Sequence, residues 1–251
     1  WGRLVRDLGG PRLPVWTSVR VFMVANLGRY VPGKVWQIAG LAYLAKREGV
    51  QASVATGAAI LGQGIALLGA TLVGIGALFG ANEFWRQIGW EGWVAGIGAA
   101  SAIIAVVVIP PLFRRVVAFW FRVTRTDPPG DGLGSGNVGL RWLTLYVGIW
   151  GIYATAFWLF YLSFGESRTF LQVGPAFAAA YVAGYIAIFA PAGAGIREGV
   201  LVVLLQPIMA REAAVVLAVI ARLWTTAIEL IPAALLALGE RQSRDTEEST
   251  P

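Results

Sequence analysis

Apolar residues run along this chain in long stretches that contain no charged side chain. The stretches cover residues 51–82, 92–113, 142–165 and 169–196. A helix needs about 20 apolar residues to cross the hydrocarbon core of a bilayer, so each stretch is long enough. We therefore predict an all-α polytopic membrane protein with about four full transmembrane helices. They are placed at about residues 50–79, 92–110, 140–163 and 211–238.

Two shorter apolar segments near the N-terminus are separated by a proline–glycine pair. Residues 15–30 and 35–45 are each too short to span the bilayer comfortably, and Pro32 and Gly33 lie between them. Proline and glycine interrupt a helix, and a break at membrane depth is tolerated where protein buries it or where it lines a cavity. The pattern predicts a re-entrant or broken helical hairpin over about residues 15–46.

A second break follows the apolar helix that we predict at residues 171–190. Pro191, Gly193 and Gly195 mark this break, at about 190–196, and a short helix at about 196–207 follows. Both breaks are surrounded by the same order of features: an aromatic residue, proline, small residues, a short helix, a charged turn and an Ala/Val-rich span. Three full spans separate the hairpins, and an odd number of spans reverses orientation. The sequence thus predicts an inverted repeat, whose paired breaks are the best pointer to a transporter's central site.

The repeat divides the chain into two membrane units. Residues 1–127 form the first unit, which ends in an amphipathic surface helix at 112–126. Residues 128–137 form a linker, and residues 138–239 form the second unit. A polar tail at 240–251 is expected to be disordered. The symmetry also predicts a further span before residue 1, as the counterpart of 140–163.

Basic residues cluster in the middle of the chain and set its expected orientation. Region 110–141 contains five arginines against Asp127 and Asp131, whereas the loops at 80–91 and 164–171 show no such excess. By the positive-inside rule, 110–141 lies in the cytoplasm and the two hairpins open from opposite sides of the cell (inner or plasma) membrane.

Composition removes several classes of function. Only 14% of the residues are charged, against about 25% in soluble domains, and the chain contains neither cysteine nor histidine. The commonest metal ligand and general base are therefore missing, and we predict no catalytic residue, no metal and no cofactor. The net charge of +6 fits basic loops beside anionic lipid, and no nucleic-acid-binding motif is visible.

A few ionisable or polar residues fall at membrane depth, where such side chains are costly and are candidates for function. A helix that starts after a break presents free N–H groups, and a nearby cation turns it into an anion site. Arg222, Thr225, Thr226 and Glu229 share one helical face, which must meet a cavity or partner groups rather than lipid. The candidate substrate-binding residues are Arg29, Lys34, Gln37, Arg197, Glu198, Arg222 and Glu229.

Structural roles are open for the same residues. Arg197 and Glu198 could pair with Glu229 and Arg222 and thereby only hold the helices together. Arg29 and Lys34 could instead reach the phosphates of cytoplasmic lipid headgroups and act as ordinary anchors.

Two motifs resemble the signatures of the lysylphosphatidylglycerol synthase transmembrane family. The first is Asn26-x-x-Arg29-Tyr30-Val31-Pro32-Gly33-Lys34, and the second is Pro191-Ala192-Gly193-Ala194-Gly195-Ile196-Arg197-Glu198. The resemblance covers about residues 15–238 and implies a flippase-like fold with two re-entrant hairpins. Relatives act on aminoacylated phospholipids or accompany enzymes of polyprenyl-lipid, glycolipid or hopanoid metabolism.

The chain departs from the family pattern in two ways. It has no segment that resembles the soluble aminoacyl-transferase domain, so we expect no enzymatic synthesis. It also carries Lys34-Val35-Trp36 after the first Pro-Gly, where many relatives have a Gly-Glu pair.

The expected function is translocation of an anionic or zwitterionic phospholipid, or of a polyprenyl-phosphate-linked lipid, across the bilayer. One alternative is an ion-coupled transporter of a small anionic solute, in which Glu198 and Glu229 would be the coupling carboxylates. Another is a non-transporting partner of a glycosyltransferase or lipid-modifying enzyme. The expected partner is thus a membrane lipid. A lipid-modifying enzyme and a second copy of the chain remain open as further partners, and nucleic acid is not expected.

Overall fold

The computed structural model describes residues 1–31, 35–76, 104–105, 107–125, 138–165, 167–187 and 189–248. Every regular element within these ranges is helical, which confirms the predicted all-α class. The predicted loop at 80–91, most of the span at 92–110 and the linker at 128–137 lie outside the described residues. So do Pro32, Gly33 and Lys34 of the first break.

Nine α-helices and two short 3₁₀ turns make up the described part of the chain. The helices are α1 (Gly2–Asp7), α2 (Val15–Asn26), α3 (Val35–Arg47), α4 (Ala52–Gly74), α5 (Pro110–Val123), α6 (Val138–Leu162), α7 (Phe170–Ile186), α8 (Ile196–Leu205) and α9 (Arg211–Glu248). The 3₁₀ turns cover Leu27–Tyr30, after α2, and Pro191–Gly193, before α8.

Three of the described helices are long and apolar enough to cross a membrane. They are Ala52–Gly74, Val138–Leu162 and the part of α9 over Arg211–Gly239. They correspond to three of the four predicted full spans, and α7 is a shorter apolar helix of 17 residues. The chain is therefore a multi-pass membrane protein.

Two helix ends differ from the predicted ones. Helix α9 continues to Glu248, beyond residue 238 at which the last span was predicted to end. The tail is rich in Glu, Arg and Gln, which are good helix formers, and adding residues to an existing helix costs much less than starting a new one. Helix α7 ends at Ile186 rather than 190, because Ala187 already leaves the helical conformation, with ψ of 81°.

Helices α4, α6 and α7 contact one another and form the centre of the described structure. Small residues on α4 allow this close approach. A Cβ at Gly69 would lie 3.1 Å from the backbone of Tyr146, and a Cβ at Gly74 would lie 2.9 Å from the backbone of Ala179. Close backbone packing of this kind is how helices associate in lipid, where the hydrophobic effect between helices is weak.

The outer faces of the long helices are apolar and exposed. Ile152 on α6 is 71% exposed, and Leu223 and Leu235 on α9 are each 65% exposed. In a soluble protein a surface of this kind would favour aggregation, whereas in a bilayer it faces acyl chains.

The two broken segments fold back on themselves and meet. Helix α2 contacts α3, and α7 contacts α8, so each break joins two packed arms of a hairpin. The Leu27–Tyr30 turn of the first hairpin contacts the Pro191–Gly193 turn of the second. Helix α9 contacts both hairpins, through α2 and through α8. These contacts bring together segments about 160 residues apart in the sequence and create the candidate site.

Candidate functional site

An open cavity lies where the Leu27–Tyr30 turn, the second break and helix α9 come together. It contains about 520 Å³ of empty space, including the part open to solvent. The Leu27–Tyr30 turn and the start of α3 form one side, and α7, the Pro191–Gly193 turn and α8 form the other. Helix α9 closes the third side.

The structure brings most of the predicted site residues to this cavity. Those that line it are Arg29, Gln37, Arg197, Arg222 and Glu229. Glu198 lies next to the lining and contacts Arg222. Gly193 also lines the cavity, whereas Lys34 lies outside the described residues.

Glu229 on α9 is bound by two residues of the first hairpin. The Nη1 atom of Arg29 donates to Oε1 of Glu229 at 3.0 Å, and the hydroxyl of Tyr30 donates to Oε2 at 2.8 Å. The guanidinium also contacts Tyr181, whose hydroxyl lies 3.4 Å from Nη2. Glu229 therefore pairs with Arg29 and not with Arg197, and this pair joins the Leu27–Tyr30 turn to α9.

Arg222 on α9 holds the second break in place. Its Nη1 atom donates to the carbonyl oxygen of Ala192 at 3.0 Å, and its Nε atom lies 3.4 Å from Oε1 of Glu198. Ala192 has a positive φ of 49°, which is unfavourable for a residue with a side chain. The contact to its carbonyl helps to keep the turn in this conformation. The Arg222–Glu198 pairing is the one that the structural alternative anticipated.

Glu198 has a second role at the start of α8. Its Oε2 atom accepts a hydrogen bond from the backbone N–H of Gly195 at 2.6 Å. An acidic residue three positions after the N-cap of a helix commonly reaches back in this way and accepts a hydrogen bond from a backbone N–H that would otherwise have no partner. Oε2 of Glu198 is thus hydrogen-bonded by the backbone, whereas Oε1 is buried beside Arg222 and forms no hydrogen bond among the described residues.

Arg197 has a different environment from the other two arginines. Its guanidinium lies over the ring of Phe177 at 4.6 Å and the ring of Tyr181 at 5.5 Å, measured to the ring centroids. Within the described part of the chain, it forms no salt bridge with any carboxylate. Aromatic faces attract a cation but carry no net charge, so Arg197 keeps an uncompensated positive charge at the cavity wall.

In each hairpin a glycine packs against the opposite arm near the break. A Cβ at Gly28 would lie 2.6 Å from the backbone nitrogen of Gln37. A Cβ at Gly193 would lie 2.7 Å from the carbonyl oxygen of Gly184, and one at Gly184 would lie 3.0 Å from the Cβ of Arg197. The contacts place Gln37 and Arg197 at comparable positions in the two hairpins, each directed to the same cavity.

The polar stripe of α9 faces the cavity. Thr225 and Thr226 line it together with the two charged residues of the stripe. Leu223 and Trp224 are exposed at 65% and 64% on the other side of the helix. The hydroxyl of Thr225 donates to the carbonyl of Ala221 at 2.9 Å, within its own helix. The stripe therefore separates a polar face from a lipid-facing one, as its spacing indicated.

Three tyrosines of the cavity were not among the predicted site residues. They are Tyr30, Tyr181 and Tyr185. Tyr181 and Tyr185 are four residues apart on α7, and residues at that spacing share a helical face. Two tyrosines on one face of an apolar helix, just before a Pro/Gly break, were a signal for the site that charge alone did not provide.

The cavity lining combines cationic, anionic and hydroxyl groups, with arginine the most frequent charged residue. Guanidinium groups and hydroxyls line it, and guanidinium groups bind phosphate or carboxylate through paired hydrogen bonds. Among the described residues, no three His, Cys, Asp or Glu side chains lie close enough together to hold a metal ion.

Comparison with models of protein families assigns the chain to a family. Residues 1–233 match the family described as lysylphosphatidylglycerol synthase TM region. Because the match covers most of the sequence, the chain belongs to this family, as the two break motifs suggested. Comparison with curated proteins and with solved structures gave no match.

Proposed function

We propose that this member of the lysylphosphatidylglycerol synthase transmembrane family is a lipid translocase, which moves an anionic or zwitterionic headgroup across the bilayer. The headgroup would belong to a phospholipid or to a polyprenyl-phosphate-linked lipid. In this proposal the chain changes the position of the lipid and makes no covalent change to it.

The observation that carries the proposal is the basic cavity at the meeting point of two broken hairpins. A polar headgroup needs polar partners throughout its passage, since unsatisfied polar groups in hydrocarbon cost several kcal/mol. Arg29, Arg197 and Arg222 provide such partners in one place. They come from both hairpins and from α9, so movement of either hairpin would change access to the site.

Apolar residues exposed near the breaks favour a lipid over a soluble solute. Phe189, two residues before Pro191, is 82% exposed, and Ile186 at the end of α7 is 69% exposed. Val31, just before the first break, is 45% exposed. Apolar residues beside a polar cavity suit a substrate whose headgroup enters the cavity while its acyl chains remain in the bilayer.

The carboxylates of the site argue against the ion-coupled alternative. Glu229 is bound by Arg29 and Tyr30, and Glu198 is bound by Arg222 and a backbone N–H. A coupling carboxylate must release its partners in each transport cycle, and these contacts oppose that release. Transport that depends on a proton or Na⁺ gradient would instead favour the ion-coupled alternative.

The orientation of the chain is part of the proposal. We propose that residues 110–141 lie in the cytoplasm of a cell whose plasma membrane holds the protein, and that the two hairpins are re-entrant from opposite sides. The chain has no cysteine, so any introduced cysteine is unique. An Asp131→Cys variant should react with a membrane-impermeant thiol reagent only after the cells are opened. Reaction in intact cells would contradict the orientation.

Translocation is tested with the purified chain in liposomes that carry fluorescent lipids, whose outer-leaflet fraction is measured by chemical quenching. We expect the protein to accelerate transbilayer movement of at least one lipid class. The double variant Arg222→Gln/Glu198→Gln, which removes a charged pair without leaving a bare carboxylate, should slow it. Arg122→Gln, a change of an exposed arginine on α5, is the matched control and should have no effect. If no phospholipid or polyprenyl phosphate moves faster than in protein-free liposomes, the proposal is wrong.

A further inference from the structure

We infer that the cavity selects a headgroup with a single net negative charge, a phosphodiester, and that Arg197 binds its phosphate. This inference rests on the proposed function and names the class of substrate for the same site. It depends on which charges at the cavity already have partners.

Counted over the described residues alone, the charged groups at the cavity leave one positive charge in excess. Three guanidinium groups, of Arg29, Arg197 and Arg222, face two carboxylates. Glu229 lies 3.0 Å from Arg29, and Glu198 lies 3.4 Å from Arg222, so each carboxylate compensates a different arginine. Among the residues that the structure describes, the third guanidinium, that of Arg197, has no carboxylate partner.

No carboxylate in the described part of the chain forms an ion pair with Arg197. Phe177 and Tyr181 offer their ring faces, and the neighbouring Glu198 pairs with Arg222 and accepts a backbone hydrogen bond through Oε2. The side chain is only partly exposed, in a segment surrounded by apolar helices. A charge without a partner in such a place is strongly unfavourable, so an anion from outside the chain would stabilise it.

Among the residues that the structure describes, the arginine without a carboxylate partner belongs to the second hairpin. The position of the first hairpin that corresponds to Arg197, by the glycine contact near the break, is Gln37. This side chain is neutral, and its amide nitrogen donates to the side-chain oxygen of Asn26. Tyr30, Tyr185 and Thr226 also line the cavity without adding charge.

A single excess charge discriminates between classes of headgroup. A phosphodiester without an amine carries one negative charge and neutralises the cavity. A zwitterionic headgroup adds an ammonium group close to three arginines, and an aminoacylated one adds more positive charge, so both are disfavoured by repulsion. A phosphomonoester that carries two charges leaves the cavity negative. The planar guanidinium also matches two oxygens of one phosphate, which favours a phosphodiester over a halide or a hydroxyl.

The same phosphodiester could be part of a lipid or of a soluble molecule, and binding experiments separate the two. The full chain in detergent is titrated with phosphatidylglycerol, phosphatidylcholine and phosphatidic acid, and with glycerophosphoglycerol as the soluble headgroup. We expect phosphatidylglycerol to bind about tenfold to a hundredfold more tightly than phosphatidylcholine, because the guanidinium without a carboxylate partner repels the ammonium group of phosphatidylcholine at short range. Weak binding of glycerophosphoglycerol assigns the site to a lipid. If glycerophosphoglycerol binds as tightly as phosphatidylglycerol, the site recognises a phosphodiester but its substrate is not a lipid.

Charge variants test the role of Arg197 directly. Arg197→Gln should bring phosphatidylglycerol and phosphatidylcholine to within about twofold, and Arg197→Lys should keep the preference at reduced affinity because it keeps the charge and loses the planar fork. Glu229→Gln frees a second guanidinium and should shift the preference toward phosphatidic acid. Arg122→Gln should change nothing. Equal binding of the first two lipids by the unmodified protein, or an unchanged preference in Arg197→Gln, would overturn the inference.

Translocation of the same lipids distinguishes failure of this inference from failure of the proposed function. If the protein accelerates the transbilayer movement of phosphatidylglycerol and phosphatidylcholine equally, it is still a translocase, but it does not select its substrate by charge. Binding that depends on Arg197 without acceleration of any lipid leaves the phosphodiester site and contradicts translocation.

Discussion

The second break depends on a direct contact between two backbone segments, and an added methyl group at Gly193 tests this. Gly193 has a φ of +73°, and a Cβ there would lie 2.7 Å from the carbonyl oxygen of Gly184 and 2.8 Å from its Cα. Neither neighbour is a side chain that could rotate away. Gly193→Ala therefore requires the hairpin arms to separate or the turn to change its conformation.

The cost of this change has two parts. The left-handed backbone conformation costs an alanine about 1–2 kcal/mol, and overpacking adds about 1–3 kcal/mol. We expect Gly193→Ala to lower the free energy of unfolding by about 2–5 kcal/mol. For a chain of this length each kcal/mol corresponds to about 2–4 °C, so the Tm should fall by at least about 4 °C.

Two other glycines near the same break separate the cost of backbone strain from the cost of steric contact. Gly195 has φ of 81° and ψ of −46° but no atom within 4 Å of its added Cβ, so Gly195→Ala carries only backbone strain, about 1–3 kcal/mol. Gly199 lies inside α8 with open space around it and no positive φ. Gly199→Ala should leave the Tm unchanged or raise it slightly, because alanine is the better helix former.

Thermal unfolding in detergent, followed by the fluorescence of the 11 tryptophans, ranks the three variants. The expected order of Tm runs from Gly199→Ala, at or above the unmodified protein, through Gly195→Ala to Gly193→Ala as the lowest. A Tm of Gly193→Ala equal to or above that of Gly195→Ala would refute the contact with Gly184 as the element that closes the break.

Three further changes probe the contacts around the cavity. Glu229→Gln should lower stability by about 1–2 kcal/mol, since it weakens charge-assisted hydrogen bonds at a carboxylate that is 37% exposed, and adding Arg29→Gln should recover part of the loss in the same unfolding assay. Arg222→Lys keeps the charge beside α8 but loses the fork that reaches Ala192, and a Tm lowered by the equivalent of about 1 kcal/mol is expected; no change would show that the carbonyl contact is dispensable. Trp150→Phe removes the indole donor to a carbonyl of α4 at 2.8 Å and should cost about 1 kcal/mol, and an unaltered Tm would contradict a stabilising role.

Local sequence patterns were sufficient for the elements and for most of the site residues. Stretches without charge identified Ala52–Gly74 and Val138–Leu162 as spans, because a bilayer excludes charge over a defined length. The stripe from Arg222 to Glu229 was recognisable from helical spacing alone, and both ends of it line the cavity. The end of α9 was missed, because polar composition also suits a disordered tail.

The partners of the charged residues required the tertiary structure. The sequence offered Arg197–Glu229 as a pair, whereas the structure pairs Glu229 with Arg29, 200 residues away. Ion pairs between distant segments depend on which helix faces meet, and no local pattern contains that information. The same reason explains why the tyrosines of α7 were missed, since their value as site residues depends on the hairpin that folds over them.

The sequence by itself determined that this chain is a helical membrane protein with two Pro/Gly breaks and a small set of arginines near them. Those features follow from the cost of placing charge and broken backbone in hydrocarbon, which acts on each segment separately. The tertiary structure decided that the Leu27–Tyr30 turn meets the second break and that, within the described part of the chain, Arg29 and Arg222 pair with carboxylates whereas Arg197 does not. These properties belong to the packing of the two hairpins against α9, where the geometry of a few contacts sets the net charge of the cavity.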